Sequence, residues 1–181
     1  MATKPTEGLN QPLEFDPDAS TRRKKGAHKP EYASVFVEPG EVRDGCDRVH
    51  LLVNPFAGKK NGRNIAARVI QLVEDAGVEI SCSYSSYSGH LVTMASALVV
   101  EAGDVIAVVG GDGSFSEVIT GRMLLGKTTK ETFAIVPAGT GNSQAHDLRI
   151  DSVEAAVNAI LAGRTQALDL ARVELTEGLP G

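Results

Sequence analysis

The chain has 181 residues, of which 42% are hydrophobic, and its formal net charge at pH 7 is −5. This length is typical of one domain with flanking segments, and the acidic balance argues against nucleic acid as a partner. No run approaches the roughly 18 apolar residues that span a bilayer, and the first residues lack the apolar stretch of a secretory signal. Cys46 and Cys82 have no metal-type spacing and are typical of reduced thiols, although two cysteines alone leave a disulfide open. We therefore expect a cytoplasmic protein whose contact with any membrane would be peripheral.

Residues 1–45 differ in composition from the rest of the chain. They contain five of the eight prolines and little apolar periodicity, which is typical of a flexible tail. A basic run at residues 22–25 offers a handle for anionic lipid or a localisation signal. A simply solvated charge run is the alternative, and we favour it. We expect the folded domain to cover residues 46–175.

Strand-like and helix-like segments alternate along this domain. The predicted strands are residues 49–53, 78–84, 104–109, 132–136 and 165–175. The predicted helices are residues 65–73, 91–101, 115–125 and 151–161. Residues 104–109 are almost continuously apolar, as expected for a strand buried on both faces of a parallel sheet. The alternation predicts an α/β fold, a doubly wound parallel sheet with helices on both faces.

A glycine turn follows the most apolar predicted strand and consists of Gly110, Gly111, Asp112 and Gly113. Glycine backbone can approach phosphate oxygens closely, and a helix capped by Ser114 would add its positive end to an anion site. Asp112 is the unexpected member, because phosphates repel a carboxylate. It fits if it takes a proton from an acceptor hydroxyl or helps to hold Mg²⁺. An ordinary turn, in which Asp-Gly serves geometry alone, is the alternative.

Two further loops follow predicted strands. Residues 137–142 form a second glycine-rich turn, in which Thr140 adds a hydroxyl to the backbone N–H groups. Residues 54–60 begin with Asn-Pro and end with Lys59 and Lys60, which bring two ammonium groups. Each loop alone could be a tight turn or a solvated charge pair. Three such loops at one edge favour a phosphate site, because ligands of doubly wound sheets bind beyond the carboxyl ends of the strands.

Three other features of the sequence suggest sites or contacts. Residues 121–128 satisfy the P-loop pattern, but they end a predicted helix and precede a predicted strand, so we reject a P-loop. Glu117 suits either a capping box with Ser114 or a contact to a metal or nucleotide, and both stay open. His90, at a predicted helix start, is more typical of a structural residue or nucleotide contact than of an acid–base group.

Together these motifs resemble the diacylglycerol kinase catalytic domain superfamily, which includes sphingosine, ceramide, diacylglycerol and bacterial lipid kinases. The resemblance extends over residues 48–175, in order and at family-like spacing. Its pieces are residues 54–59, 88–90, 110–114, 117–118 and 137–142. It implies an amino-terminal α/β domain that holds ATP and a carboxy-terminal β-sandwich domain that holds the lipid.

The resemblance also implies roles for single residues. In the sphingosine kinase branch, the aspartate that matches Asp112 is assigned as the base acting on the lipid hydroxyl. Mg²⁺ is expected to accompany ATP, but no residue is assigned as its ligand. The residues expected to contact the nucleotide, or to line the point where phosphate meets lipid hydroxyl, are Asn54, Pro55, Phe56, Ser85, Ser86, Tyr87, Ser88, Gly89, Gly110, Gly111, Gly113, Glu117, Gly139, Thr140 and Gly141.

The resemblance thus implies an ATP-dependent lipid kinase that transfers the γ-phosphate to a hydroxyl of diacylglycerol or a sphingoid base. Relatives continue beyond residue 175, so we expect the lipid-binding domain to be missing and residues 176–181 to be its truncated start. Such a fragment can be inactive. An NAD-kinase-like enzyme, which shares the Gly-Gly-Asp-Gly turn, and a non-catalytic nucleotide-binding module are the alternatives. The identity of the lipid and the oligomeric state, including a possible homo-oligomer, stay open.

Overall fold

The computed structural model describes residues 45–125, 131–171 and 173. The predicted tail up to residue 44 and the predicted second-domain start at residues 176–181 lie outside the described residues. The strands are β1 (Arg48–Val53), β2 (Glu79–Tyr84), β3 (Val105–Gly110) and β4 (Thr132–Pro137). The helices are α1 (Ala57–Lys60), α2 (Gly62–Asp75), α3 (His90–Ala97), α4 (Asp112–Met123), α5 (Ser143–Asp147) and α6 (Val153–Leu161). No helix in the described part of the chain is long and apolar enough to cross a membrane.

The four strands form one parallel sheet in the order β2-β1-β3-β4. β1 lies between β2 and β3, so the direction in which successive strands are added reverses between β1 and β3. In doubly wound sheets of this order, ligands bind in the crevice beyond the carboxyl ends of these two strands. The predicted fold class is confirmed, and the switch point lies where Asn54 follows β1 and Gly110 ends β3.

Alternate residues of the central strands face two separate hydrophobic layers. Val49, Leu51 and Val53 of β1 pack with residues of α2 and α6. Leu52 packs on the opposite face, with residues of α3 and α4. Every residue of β3 is buried, as its apolar run predicts for a strand covered on both faces. Helices therefore lie on both sides of the sheet, as predicted.

The start of α4 differs from the prediction. The helix begins at Asp112 instead of residue 115, and its N-cap is Gly111, whose backbone is extended (φ −105°, ψ −170°). The prediction that Ser114 caps this helix is therefore wrong, because Ser114 already lies in the first helical turn. The glycine turn and the helix start are consequently one continuous structure.

Two other predicted boundaries differ. α3 ends at Ala97, because Leu98 has extended backbone (φ −65°, ψ 135°). The predicted strand at residues 165–175 does not form in residues 165–171, which carry no regular structure; Arg164 alone makes a single bridge. A strand exists only where a neighbouring strand completes its ladder, and an apolar pattern does not supply that neighbour. Gly121 and Arg122 are buried helical residues of α4, which is not the strand–loop–helix setting of a P-loop.

A buried polar cluster fixes the opposite edge of the sheet. The His50 ring lies 2.9 Å from Asp104 Oδ2 through Nε2 and 3.1 Å from Ser81 Oγ through Nδ1. Burial alone would raise the pKa of the Asp104 carboxyl, but the Glu101 N–H and His50 hold that pKa below its usual value. His50 therefore joins β1, β2 and the segment before β3 and has a structural role.

Candidate active site

Asn54 is the first residue beyond β1, and it joins the carboxyl end of this strand to β3 through its backbone and to α4 through its side chain. Its backbone N–H donates to Val109 O at 2.9 Å. Its side-chain amide donates to Ser114 Oγ at 3.0 Å, and its Oδ1 accepts the Phe56 N–H at 3.0 Å. The Asn-Pro loop is thereby fastened to the first turn of α4. Sequence reasoning treated Ser114 as a cap and missed this bond.

A cavity of about 240 Å³ opens beside this junction. Its lining residues are Asn54, Phe56, Ser85, Tyr87, Ser88, Leu91 and Glu117. Two aromatic side chains flank it, and both are largely exposed, Phe56 at 63% and Tyr87 at 62%. Exposed aromatic faces beside a pocket offer a stacking surface for a planar ring such as a nucleobase. Six predicted nucleotide contacts thus converge on one cavity, and Leu91 is the lining residue that the sequence did not indicate.

The loop at residues 85–89 is held in shape by His90 and Glu117. The Ser86 N–H donates to His90 Nδ1 at 3.0 Å. The Tyr87 ring stacks on His90, with ring centroids 4.5 Å apart and planes 15° apart. The Gly89 N–H donates to Glu117 Oε1 at 3.2 Å. His90 therefore supports this loop, and a nucleotide contact by His90 stays a prediction. Glu117 bonds the same loop, whereas a capping box would have turned its side chain towards Ser114.

The two glycine loops touch backbone to backbone. The Ala138 N–H donates to Gly110 O at 3.0 Å, which extends the β3–β4 ladder into the loops. A Cβ on Gly139 would lie 2.6 Å from Gly111 Cα, and a Cβ on Gly111 would lie 3.2 Å from Gly139 Cα. Glycine is needed at Gly139 for this close approach. The loops predicted to bind phosphate therefore form one continuous backbone surface at the switch point.

Asn142 closes the second glycine loop on itself. Its side chain accepts the Gly139 N–H and donates to Gly139 O, both at 2.8 Å. Its own backbone is left-handed (φ 50°), a conformation that asparagine tolerates better than most residues. The ring of bonds shapes residues 139–142 and leaves Thr140 exposed at the tip. The predicted contacts Thr140 and Gly141 thus border the glycine surface without lining the cavity.

The Asp112 carboxylate links the glycine turn to α5. Its Oδ1 accepts the Gln144 N–H and its Oδ2 accepts the Ser143 N–H, each at 3.0 Å. These two N–H groups hold the pKa of the Asp112 carboxyl below its usual value, because they stabilise the charged form. Both oxygens of the predicted base are thus already engaged by backbone.

The third predicted loop reaches the same surface through Gly58. A Cβ on this residue would lie 2.5 Å from Ala138 O, so the Asn-Pro loop packs directly on the second glycine loop. Gly58, Lys59 and Lys60 all have positive φ (57°, 59° and 72°). Two lysines in a left-handed turn are strained, and such strain concentrates at functional sites. Their ammonium groups are free to reach an anion at this edge, since both residues are exposed.

The residues that the structure describes do not gather metal ligands into a cluster at this edge. Among the described residues, no group of three or more His, Cys, Asp or Glu side chains could hold a metal ion. A Mg²⁺ ion that accompanies a nucleotide usually takes one or two carboxylates together with phosphates and several waters. Asp112 belongs to the glycine turn and supplies one carboxylate there. The residues therefore fit a Mg²⁺ ion that is bound mainly by the phosphates of a nucleotide better than one bound by protein ligands alone.

Residues 48–173 match the family description "Diacylglycerol kinase catalytic domain". The chain belongs to this family. The match covers the whole of the described fold, from β1 to the segment after α6, and every residue predicted to lie in the site.

Curated members of the diacylglycerol kinase catalytic domain family include relatives of moderate identity. Sphingosine kinase B of Dictyostelium discoideum is 31% identical over 130 residues, which are 70% of this chain and 17% of that protein. Sphingosine kinase 2 of Arabidopsis thaliana is 32% identical over 136 residues, 70% of this chain and 28% of that protein. The diacylglycerol kinase of Bacillus subtilis (strain 168) is 28% identical over 128 residues, 70% of this chain and 42% of that protein. The chain spans less than half the length of these relatives.

A solved structure supports the same family assignment. A putative diacylglycerol kinase from Bacillus anthracis str. Sterne superposes with a TM-score of 0.54 at 25% identity. The alignment covers 63% of this chain and 41% of that one.

Proposed function

We propose that this chain is the nucleotide-binding part of an ATP-dependent lipid kinase. The reaction would transfer the γ-phosphate of ATP to a hydroxyl of diacylglycerol or of a sphingoid base. One observation carries the proposal: Asn54 links a cavity flanked by two exposed aromatic rings to the first turn of α4. It lines the cavity and bonds Ser114, which follows the first of the two touching glycine loops. In the family to which the chain belongs, both sphingosine kinases and diacylglycerol kinases are relatives.

The residues present fit both parts of a nucleotide, the planar base and the charged phosphate chain. Phe56 and Tyr87 offer ring faces for the base, and the polar atoms of Ser85 and Glu117 lie in the same cavity. The first turn of α4 offers N–H groups that have no partner within the helix, and its positive dipole end favours phosphate. Lys59 and Lys60 add positive charge beside the same loops.

Phosphoryl transfer depends on positioning and charge neutralisation more than on covalent chemistry. ATP supplies the phosphoryl group, and Mg²⁺ held by its phosphates would offset part of their charge. The backbone of Gly110, Gly111 and Gly139 would orient the phosphate chain towards the open edge of the sheet. The acceptor lipid would be held by a further domain and presented from a membrane surface, where the protein would bind peripherally from the cytoplasm.

Removing one stacking face should weaken nucleotide binding without unfolding the protein. We expect Tyr87→Ala to raise the dissociation constant for ATP by about 5- to 150-fold, since base–aromatic stacking contributes roughly 1–3 kcal/mol. Isothermal titration of this chain with ATP and with NAD measures the effect, and no lipid is needed. Val99→Ala is the matched control, because Val99 is 79% exposed and lies just beyond the far end of α3. A wild-type chain that binds NAD but not ATP would contradict the proposal.

A further inference from the structure

We propose that Asp112 is a positioning residue, whose carboxylate fastens α5 and the second glycine loop to the first. This inference rests on the proposed function, because the loops that it holds are those assigned to the phosphates. It differs from the role that the family resemblance implies, in which the carboxylate acts as a base on the acceptor hydroxyl.

The geometry of Asp112 is that of a double cap. The N–H groups of Ser143 and Gln144 belong to the first turn of α5, where no partner exists within the helix. Each donates to a different oxygen of the Asp112 carboxylate at 3.0 Å. A carboxylate from another element thus satisfies two neighbouring amides that would otherwise need a cap from Asn142. The side chain of Asn142 is occupied elsewhere, because it bonds both backbone atoms of Gly139.

We call the two hydrogen bonds from Asp112 to Ser143 and Gln144 the latch. The latch acts together with the backbone contact between the loops. Gly111 touches Gly139 at the start of residues 139–142, and Asp112 bonds Ser143 and Gln144 just beyond their end. Residues 139–142 are therefore fixed at both ends to the same helix start. If the latch opened, residues 139–142 would pivot about the Gly111–Gly139 contact. Their backbone N–H groups would then move away from those in the first turn of α4.

The same hydrogen bonds make Asp112 a poor proton acceptor. Two backbone N–H groups stabilise its charged form, and the pKa of its carboxyl is held below the usual value. General-base catalysis is most effective when the pKa of the base lies near the working pH, so the observed environment moves Asp112 away from that optimum. A positioning role requires the opposite, a carboxylate that stays charged and bonded at every physiological pH.

Asp112→Asn separates the two roles by its effect on nucleotide binding alone. Asparagine keeps one acceptor oxygen but turns an NH₂ group towards the second backbone N–H, so one bond of the latch is lost. We expect ATP affinity to fall about tenfold or more, as for one charge-assisted hydrogen bond. A carboxylate that merely lay beside the phosphates would give the opposite sign, because removing its charge would tighten binding. A base that acts only on the acceptor would leave affinity unchanged.

The matched control is Asp147→Asn, which makes the same chemical change at an exposed residue of the same helix. It should leave ATP affinity unchanged. Isothermal titration of this chain provides the comparison, and circular dichroism checks that each variant is folded. Equal or tighter ATP binding by a folded Asp112→Asn variant would overturn the proposal.

A second measurement uses the unmodified chain and remains decisive if the variant does not fold. In an NMR pH titration, the amide resonances of Ser143 and Gln144 should shift together with the Asp112 carboxyl, at a pKa below the usual range for aspartate. If the amide resonances of Ser143 and Gln144 do not shift as Asp112 titrates, the result would contradict the latch. If the wild-type chain binds no nucleotide, the proposed function fails, while the NMR result still decides whether the latch exists.

Discussion

Replacing Arg122 with methionine is expected to lower the free energy of unfolding by about 3–5 kcal/mol, the usual cost of removing one partner of a buried ion pair. Arg122 is only 2% exposed. Its Nε donates to Glu131 Oε2 at 2.9 Å, and its Nη2 bonds the other oxygen of the same carboxylate. Its Nη1 donates to Ala95 O and Leu98 O, each at 2.8 Å. One side chain therefore closes the carboxyl end of α3 and joins it to α4 and to the residue before β4.

Urea unfolding of the two proteins measures this difference, with the midpoint and slope both recorded. Arg48→Met is the matched control, because Arg48 pairs with Glu79 at 2.9 Å but both side chains are substantially exposed. Its effect should be far smaller, since exposed pairs contribute little. The double variant Arg122→Met/Glu131→Leu should recover part of the loss, because no unpaired carboxylate then remains. A decrease in the free energy of unfolding of less than about 1 kcal/mol in Arg122→Met would show that the ion pair contributes little to stability.

Gly139→Ala is expected to reduce ATP affinity by about 10- to 150-fold, because backbone N–H groups displaced from the phosphates lose hydrogen bonds to a charged group, which contribute roughly 1.5–3 kcal/mol. The added Cβ would lie 2.6 Å from Gly111 Cα and 2.8 Å from Asn142 Oδ1. Both neighbours belong to the glycine surface, and neither is the flexible end of a long side chain. The loops must therefore separate, and the closing bonds of Asn142 must lengthen.

Gly141→Ala in the same loop provides the comparison. Its Cβ would meet Asp112 Oδ2 at 3.6 Å and Ser143 Oγ at 3.9 Å, which are ordinary contacts. We expect a clearly smaller loss of ATP affinity from this change than from Gly139→Ala. Isothermal titration of both variants measures the difference. Similar affinities for the two variants would mean that the close approach of the glycine loops has no part in binding.

The sheet and its ligand edge could be predicted from the sequence because their signals are local. The apolar run of β3 requires burial on both faces, and glycine-rich segments mark the ends of β3 and β4. Parallel strands bring their carboxyl ends to one edge, so the loops had to meet. The start of α4 was placed too late, because Gly-Asp-Gly has low helix propensity. Extended backbone at Gly111 and the partners of Asp112 override that preference.

The partners of the site residues could not be read from the sequence. Asn54 bonds Ser114 across 60 positions, and Gly89 bonds Glu117 across 28. No local spacing encodes such pairs, because they depend on which helix packs beside which loop. The latch of Asp112 on Ser143 and Gln144 has the same origin. The predicted strand does not form in residues 165–171 for a related reason, since a strand depends on a neighbour that no local pattern indicates.

The most direct test of the central claim is transfer of labelled γ-phosphate from ATP by the complete product of this reading frame. The protein is offered a lipid extract that contains diacylglycerol and sphingoid bases, and NAD in a parallel reaction. We predict label in the lipid phase and none in NADP. Label in NADP alone would contradict the lipid kinase assignment, and ATP binding without transfer to any acceptor would favour a non-catalytic nucleotide-binding module.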